Sequence, residues 1–194
     1  MSRRERKKAA TRQAISDAAL RLFLERGYEQ VGIRDVAEAA DVSTTTVFKH
    51  FTGKEALVFD QDQQREAEPV AVVRNRAAGQ SVLDALRQYF LDIWLPFTEH
   101  PQAAAFNRLV DSTPELRAYG ERMWAHHAES LAAAIAEESG VDHDDLECLA
   151  LARFVLTIPA LARARQDRRE AVETIFALLT HGWRPPPEPQ SAQP

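Results

Sequence analysis

One cysteine among 194 residues, Cys148, excludes an intrachain disulfide and a multi-cysteine zinc site, and it suits a reducing compartment. Only seven glycines are present, and no GxGxxG, GxxxxGK, GxSxG or HExxH pattern occurs. The phosphate cradles, nucleophile elbow and zinc-protease helix that these patterns build are therefore missing, which argues against an enzyme. Long apolar runs are lacking too, far short of the roughly eighteen residues that a bilayer span needs. The basic start, Met-Ser-Arg-Arg-Glu-Arg-Lys-Lys, has no apolar segment or cleavage site behind it, so the chain reads as cytoplasmic with no membrane partner. No alternating run of Val, Ile, Thr or aromatic residues ends in an Asn-Gly or Asp-Gly turn, so strands are not expected either. The expected class is all-α, with about nine helices.

The charge is unevenly spread. Residues 1–54 hold 11 Lys/Arg against 7 Asp/Glu, whereas residues 55–194 hold 13 against 22. Arg3, Arg4, Arg6, Lys7, Lys8 and Arg12 crowd the first twelve residues against Glu5 alone. Charge by itself fits two readings, a polyanion-binding end or a solubilising tail. Residues 1–10 read as a flexible basic arm.

Periodicity places a first helix from about Arg6 to Arg26, with Ile15, Ala18, Ala19, Leu22 and Phe23 on one face and Gly27 as its terminator. Short helices follow at about 33–40 and 44–50, joined by Asp41-Val42-Ser43, with Ser43 as N-cap. A longer helix is expected from Lys54 to about Arg76, kinked at Pro69. Ser81 starts a wide apolar face through Val82, Leu86, Phe90, Trp94 and Phe97, disturbed by Pro96, and Pro101 opens the next helix. Thr113-Pro114-Glu115 starts a helix that ends at Gly140. Asp142 and Asp167, each with an acid three residues on, open the last two helices, at about 143–165 and 168–182. Residues 184–194 hold five of the ten prolines and read as a disordered tail.

Two short helices joined by a tight turn, behind an amphipathic helix, have the dimensions of a helix-turn-helix, although periodicity alone also allows a plain helical hairpin. In such a unit Val36, Ala37 and Ala40 pack on Val42 and Val47. The outer face then offers Thr44, Thr45, Thr46, Lys49 and His50 to phosphates and base edges.

Residues 11–57, TRQAISDAALRLFLERGYEQVGIRDVAEAADVSTTTVFKHFTGKEAL, resemble the N-terminal domain of the TetR family of bacterial transcriptional regulators. The likeness runs through Ile15, Ala18-Ala19, Leu22-Phe23, Gly27-Tyr28, Val36-Ala37, Val42-Ser43, Thr46-Val47-Phe48, His50-Phe51 and Lys54-Glu55-Ala56-Leu57. It implies a three-helix DNA-binding domain at 11–53, and a helical ligand-binding and dimerisation domain at 54–183. A homodimer on a palindromic double-stranded operator would be released by a small-molecule effector, as a repressor. The implied DNA face is Arg3, Arg4, Arg6, Arg34, Ser43, Thr44, Thr45, Thr46, Phe48, Lys49, His50 and Lys54, with Lys54 on a phosphate. Gly32 stands for a usual Ser or Thr cap, Asp41 for a turn Gly, Thr45 for a frequent Gly and Phe48 for a frequent Tyr. The last two put the contacts at 45 and 48 in question.

For the body, the candidate ligand residues are Phe90, Trp94, Phe97, Phe106, Met123, Trp124, His127 and Phe154, although aromatic stripes at helical spacing are also what a core requires. His126 and His127 point about 100° apart on a helix and do not chelate one ion. The Asp142-His143-Asp144-Asp145 run is explained as a helix start, so no metal and no cofactor are expected. Leu149, Arg153, Leu156, Val172, Ile175, Phe176 and Leu179 read as a dimer seam of two helices per subunit. Asp111-Ser112-Thr113-Pro114-Glu115-Leu116-Arg117 loosely resembles TetR regulators related to the mycofactocin system, which implies an acyl-CoA-like effector beside the aromatic or apolar one. Control by a protein partner, and a helical enzyme, remain the alternatives.

Overall fold

The computed structural model describes residues 2–98 and 101–183, and every regular element among them is helical. The Pro-rich tail expected at 184–194 lies outside the described residues. α1 (Arg3–Arg26) starts two residues into the chain because Ser2 and Glu5 cap each other. The Ser2 hydroxyl accepts the Glu5 amide at 3.2 Å and the Glu5 carboxylate accepts the Ser2 amide at 2.6 Å. The basic segment expected as a flexible arm is thus helical, its nucleation helped by a reciprocal cap not read from Ser2 and Glu5. α1 buries Ile15, Ala18, Ala19, Leu22 and Phe23 and stops at Gly27, whose φ of 87° only glycine adopts freely.

α2 (Ile33–Ala39) and α3 (Thr44–His50) follow. The helix expected from Lys54 with a kink at Pro69 is two pieces, α4 (Glu55–Val58) and α5 (Asp62–Arg74). The break falls at Phe59, whose ring stacks on Tyr119 at 5.3 Å and meets the edge of Phe106 at 5.9 Å. Pro69 lies buried inside α5 and does not divide it. α6 (Val82–Tyr89) passes through a π-helical turn at Phe90–Trp94 into α7 (Leu95–Thr98). There the Leu95 amide reaches five residues back to the Phe90 carbonyl. Pro96 comes next with no N–H to give, and the ladder loosens ahead of it.

α8 (Pro101–Ser112) and α9 (Pro114–Ser139) lead to α10 (Leu146–Arg163) and α11 (Arg168–His181). The cap of α10 is Asp145, which accepts the Cys148 amide at 2.8 Å, and the start expected at Asp142 is three residues early. Asp167 caps α11 as expected, accepting the Glu170 amide.

Two cores result. The first gathers Ile15, Leu22, Phe23, Val36, Val47 and Phe51 with Ala56, Leu57 and Val58 of α4, and it also buries Leu109 of α8 and Leu116 of α9. α4, which follows the boundary expected at residue 53, thus packs in the head's core. The second core joins Leu86, Phe90, Leu131, Ile135, Val155, Ile158, Val172 and Phe176 from α6, the π-helical turn and α9–α11. α9, 26 residues and so about 39 Å long, serves both cores, with Leu116 in the head and Leu131 in the body. Among the described residues no helix is long and apolar enough to cross a membrane.

Candidate functional site

The head is organised by the turn between α2 and α3. The Asp41 amide reaches the Glu38 carbonyl at 3.1 Å and the Val42 amide reaches the Ala37 carbonyl at 2.9 Å, with Asp41 at φ 51°. That is a Schellman closure with a left-handed Asp where glycine is cheapest. Val42 and Ala37 pack together in the head core, which fixes the angle at which α3 leaves. Ser43 accepts the Thr46 amide at 3.1 Å, and its hydroxyl lies 2.8 Å from that of Thr46. Val47 anchors α3 in the core. Thr45, Phe48 and Lys49 face solvent, Phe48 with 60% of its surface exposed, while Thr44, Thr46 and His50 are half-buried. The outer face of α3 is thus the Thr45 hydroxyl near its start, an exposed aromatic ring and a cation, with Thr44 half-buried beside them.

Arg3, Arg4 and Arg6 are exposed on the first turns of α1, and Arg34 is exposed on α2. Arg12 marks where α1 meets α3, donating to the His50 carbonyl at 2.5 Å. From there α1 extends nine residues back to Arg3, about 14 Å along its axis. The His50 imidazole is held below its ordinary pKa, first by burial and then by Lys8 and Arg12, and its Nδ1 is buried with no hydrogen-bond partner among the described residues. Neutral His50 offers a hydrogen bond and no fixed charge.

Lys54, expected on a phosphate, has partners within the head. Its ammonium donates to the Tyr28 carbonyl at 2.5 Å and sits 4.0 Å from the centroid of the Tyr28 ring. Burial lowers its pKa, against the opposing pull of Glu55, Glu29 and Glu115. This lysine ties the turn after α1 to the start of α4.

The body does not gather the expected ligand residues around one space. Phe90 is buried against Phe176 and Trp94 in the second core. Phe106 belongs to the Phe59 clasp at the head. Met123 is buried, and Trp124 meets the His127 ring edge-on at 5.1 Å. His127, 1% exposed, donates from Nε2 to Asp62 on α5 at 2.6 Å, and its Nδ1 has no hydrogen-bond partner among the described residues. Phe154 is a correction: it is 59% exposed on the outside of α10, because its helical position faces away from both cores. The side chain of Phe97 lies outside the described residues.

What does open is a groove of about 1300 Å³ where α7, the end of α10 and the start of α11 meet. It combines apolar Leu95, Leu161 and Ile175 with Arg165, Arg168 and Arg169 and the acids Asp167 and Glu170. No motif marks it, since its lining comes from three separate elements. Among the described residues no group of His, Cys, Asp and Glu is arranged to hold a metal ion.

The expected dimer seam divides. Val172 and Phe176 are buried in this subunit's own core, so they are corrected to intramolecular contacts. Arg153 is exposed, Leu149, Leu156, Ile175 and Leu179 are half-buried, and Leu146, Phe154, Leu161 and Leu178 form exposed apolar surface beside them. Leu146, Phe154 and Leu161 recur at steps of eight and seven, which lines them up along α10.

Comparison with known proteins agrees with this geometry. Residues 15–60 match the family described as bacterial regulatory proteins of the tetR family, and residues 80–184 match the MftR C-terminal domain. The chain is 33% identical to the HTH-type transcriptional regulator TcmR of Streptomyces glaucescens over 149 residues, 73% of this chain and 66% of that one. It is 28% identical to the putative mycofactocin biosynthesis transcriptional regulator MftR of Mycobacterium tuberculosis over 182 residues, 91% of this chain and 90% of that one. The fold is similar to that of the transcriptional regulator FadR from Bacillus subtilis in complex with stearoyl-CoA. The TM-score is 0.56 at 17% identity, covering 89% of this chain and 99% of that one.

Proposed function

The chain belongs to the TetR family of DNA-binding transcriptional regulators, and from that premise we propose that it acts as a homodimeric repressor, released from a palindromic operator by a small amphiphilic effector. The observation that carries the reading is the exposed outer face of α3, where Thr45, Phe48 and Lys49 make no side-chain hydrogen bond or ion pair among the described residues while Val47 holds the helix from behind. A surface ring with no partner suits a thymine methyl, and hydroxyls and lysine suit base edges and phosphates. Arg3, Arg4 and Arg6, exposed on the first turns of α1, supply phosphate or minor-groove contacts.

The exposed stripe of Leu146, Phe154 and Leu161 on α10, with Leu178 on α11, is the face for a second copy. Two such subunits set two reading helices about one helical turn apart, ~34 to 36 Å. For the effector, the groove between α7, α10 and α11 pairs apolar side chains with three arginines, a combination suited to an acyl chain bearing an anionic head. Similarity to a regulator solved with stearoyl-CoA supports the same class.

The test begins with selection of duplexes from a random pool by the purified chain, followed by sedimentation of the complex. Two chains per duplex on a two-fold-symmetric site support the reading, and one chain on an asymmetric site overturns it. Titrating that complex with a long-chain acyl-CoA, with free coenzyme A and with a small aromatic phenol then tests the effector class. Release by none of the three replaces small-molecule control with control by a protein partner.

A further inference from the structure

Arg12 joins the reading head to the body. One guanidinium nitrogen donates to the carbonyl of His50, the last residue of α3, at 2.5 Å, and the other donates to the carbonyl of Asp60 at 3.0 Å. The plane stacks on Phe51 with its carbon 4.2 Å from the ring centroid, and Phe51 is buried in the head core. His50 lies in the last turn of α3, where carbonyls lack helical partners and the helix dipole favours a cation. Asp60 lies in the break between α4 and α5, one residue after Phe59 and two before Asp62. Both neighbours are fixed to α9, Phe59 by its stack on Tyr119 and Asp62 by His127. A single planar fork therefore spans the end of the DNA-reading helix and the corner where the body begins, a geometry that lysine cannot copy with one nitrogen.

We propose that Arg12 is a positioning residue that locks the orientation of α3 relative to the body, and so fixes the distance between the two reading helices. The inference rests on the dimeric reading above. Its consequence is that Arg12 governs tolerance to half-site spacing and leaves half-site base preference alone. A residue that served only the stability of the head would weaken binding equally at every spacing.

The experiment uses the full chain and the duplex that wild type selects, together with versions carrying one base pair added to or removed from the centre. Wild type should lose at least about tenfold in affinity on the altered spacings, comparable to the loss from a misread base pair. Arg12→Gln should lose less than about threefold between spacings while ranking single base changes within a half-site as wild type does. Should Arg12→Gln not fold, as judged by thermal unfolding, Arg12→Lys keeps the charge but lacks the planar fork whose two nitrogens reach the two carbonyls, and should show the same relaxed spacing. A variant as selective for spacing as wild type, or one weakened equally at all spacings, overturns the proposal. A wild-type protein that selects no symmetric site, or ignores spacing, overturns the dimeric reading instead.

Discussion

The head and the body use their apolar residues differently. In the head, nearly every apolar side chain of α1–α4 turns into one core, and Phe48 alone of the large ones on α3 is left uncovered. In the body, α10 and α11 fill a core on one side and leave Leu146, Phe154, Leu161 and Leu178 open on the other. The head finishes its folding within the subunit, whereas the body keeps an apolar face whose burial waits for a partner. Apolar exposure in one region therefore bears on reading DNA, and in the other on self-association.

Truncating one phenylalanine of each kind in the body puts this contrast under the greatest strain. Phe176→Ala should cost about 3–5 kcal/mol in urea unfolding, the range for a buried aromatic. Phe154→Ala should leave the unfolding of dilute protein nearly unchanged and raise the concentration at which it self-associates, measured by sedimentation. Equal unfolding losses for the two would erase the distinction between core and outer face.

In the head, Lys54 separates a structural cation from a DNA-binding one. Lys54→Met should lower stability by about 2 kcal/mol through loss of its charged hydrogen bond to the Tyr28 carbonyl. The salt dependence of DNA binding should keep its slope, because this cation is turned inward onto Tyr28 and releases no counterion from a phosphate. A slope reduced by about one unit would return Lys54 to the DNA face. Asp41→Gly should stabilise the head by about 0.5–1 kcal/mol, since glycine relieves the φ of 51° at some entropic cost in the unfolded chain.

The smallest effect concerns His50. Burial, Lys8 and Arg12 lower its folded pKa below 6.5, so the unfolded chain takes up the proton first as the solution is acidified. The contribution of His50 is full above about pH 6.5 and is lost as pH falls from there through the lowered folded pKa. In stability–pH curves, His50→Gln should remove this slope while retaining the carboxylate-driven fall at lower pH.

The legibility of these features follows the range of the forces behind them. Caps, turns and terminators are local, so Ser43, Thr113, Gly140 and Asp167 announced their helices, and the spacing of Val36, Ala37, Val42 and Val47 revealed the helix-turn-helix. The break at Phe59 depends on rings from α8 and α9, which no local pattern encodes. Which face of α11 turns inward is likewise a tertiary choice, and Val172 and Phe176 were misplaced for that reason. Lys54 shows a charge pointing inward because a carbonyl and a ring await it. Arg12 did leave a trace: it continues the stripe of Ile15, Ala19 and Leu22 one turn earlier, a cation on an apolar face, which calls for a buried partner.

If the outer face of α3 reads DNA twice per complex, a chemical nuclease tethered to Thr45→Cys in a Cys148→Ser background should cut the selected duplex at two places. Two clusters of major-groove cleavage are expected, about 10–10.5 base pairs apart, centre to centre. A single cluster, or cleavage only from a nuclease tethered at Arg3→Cys, would contradict that reading of α3.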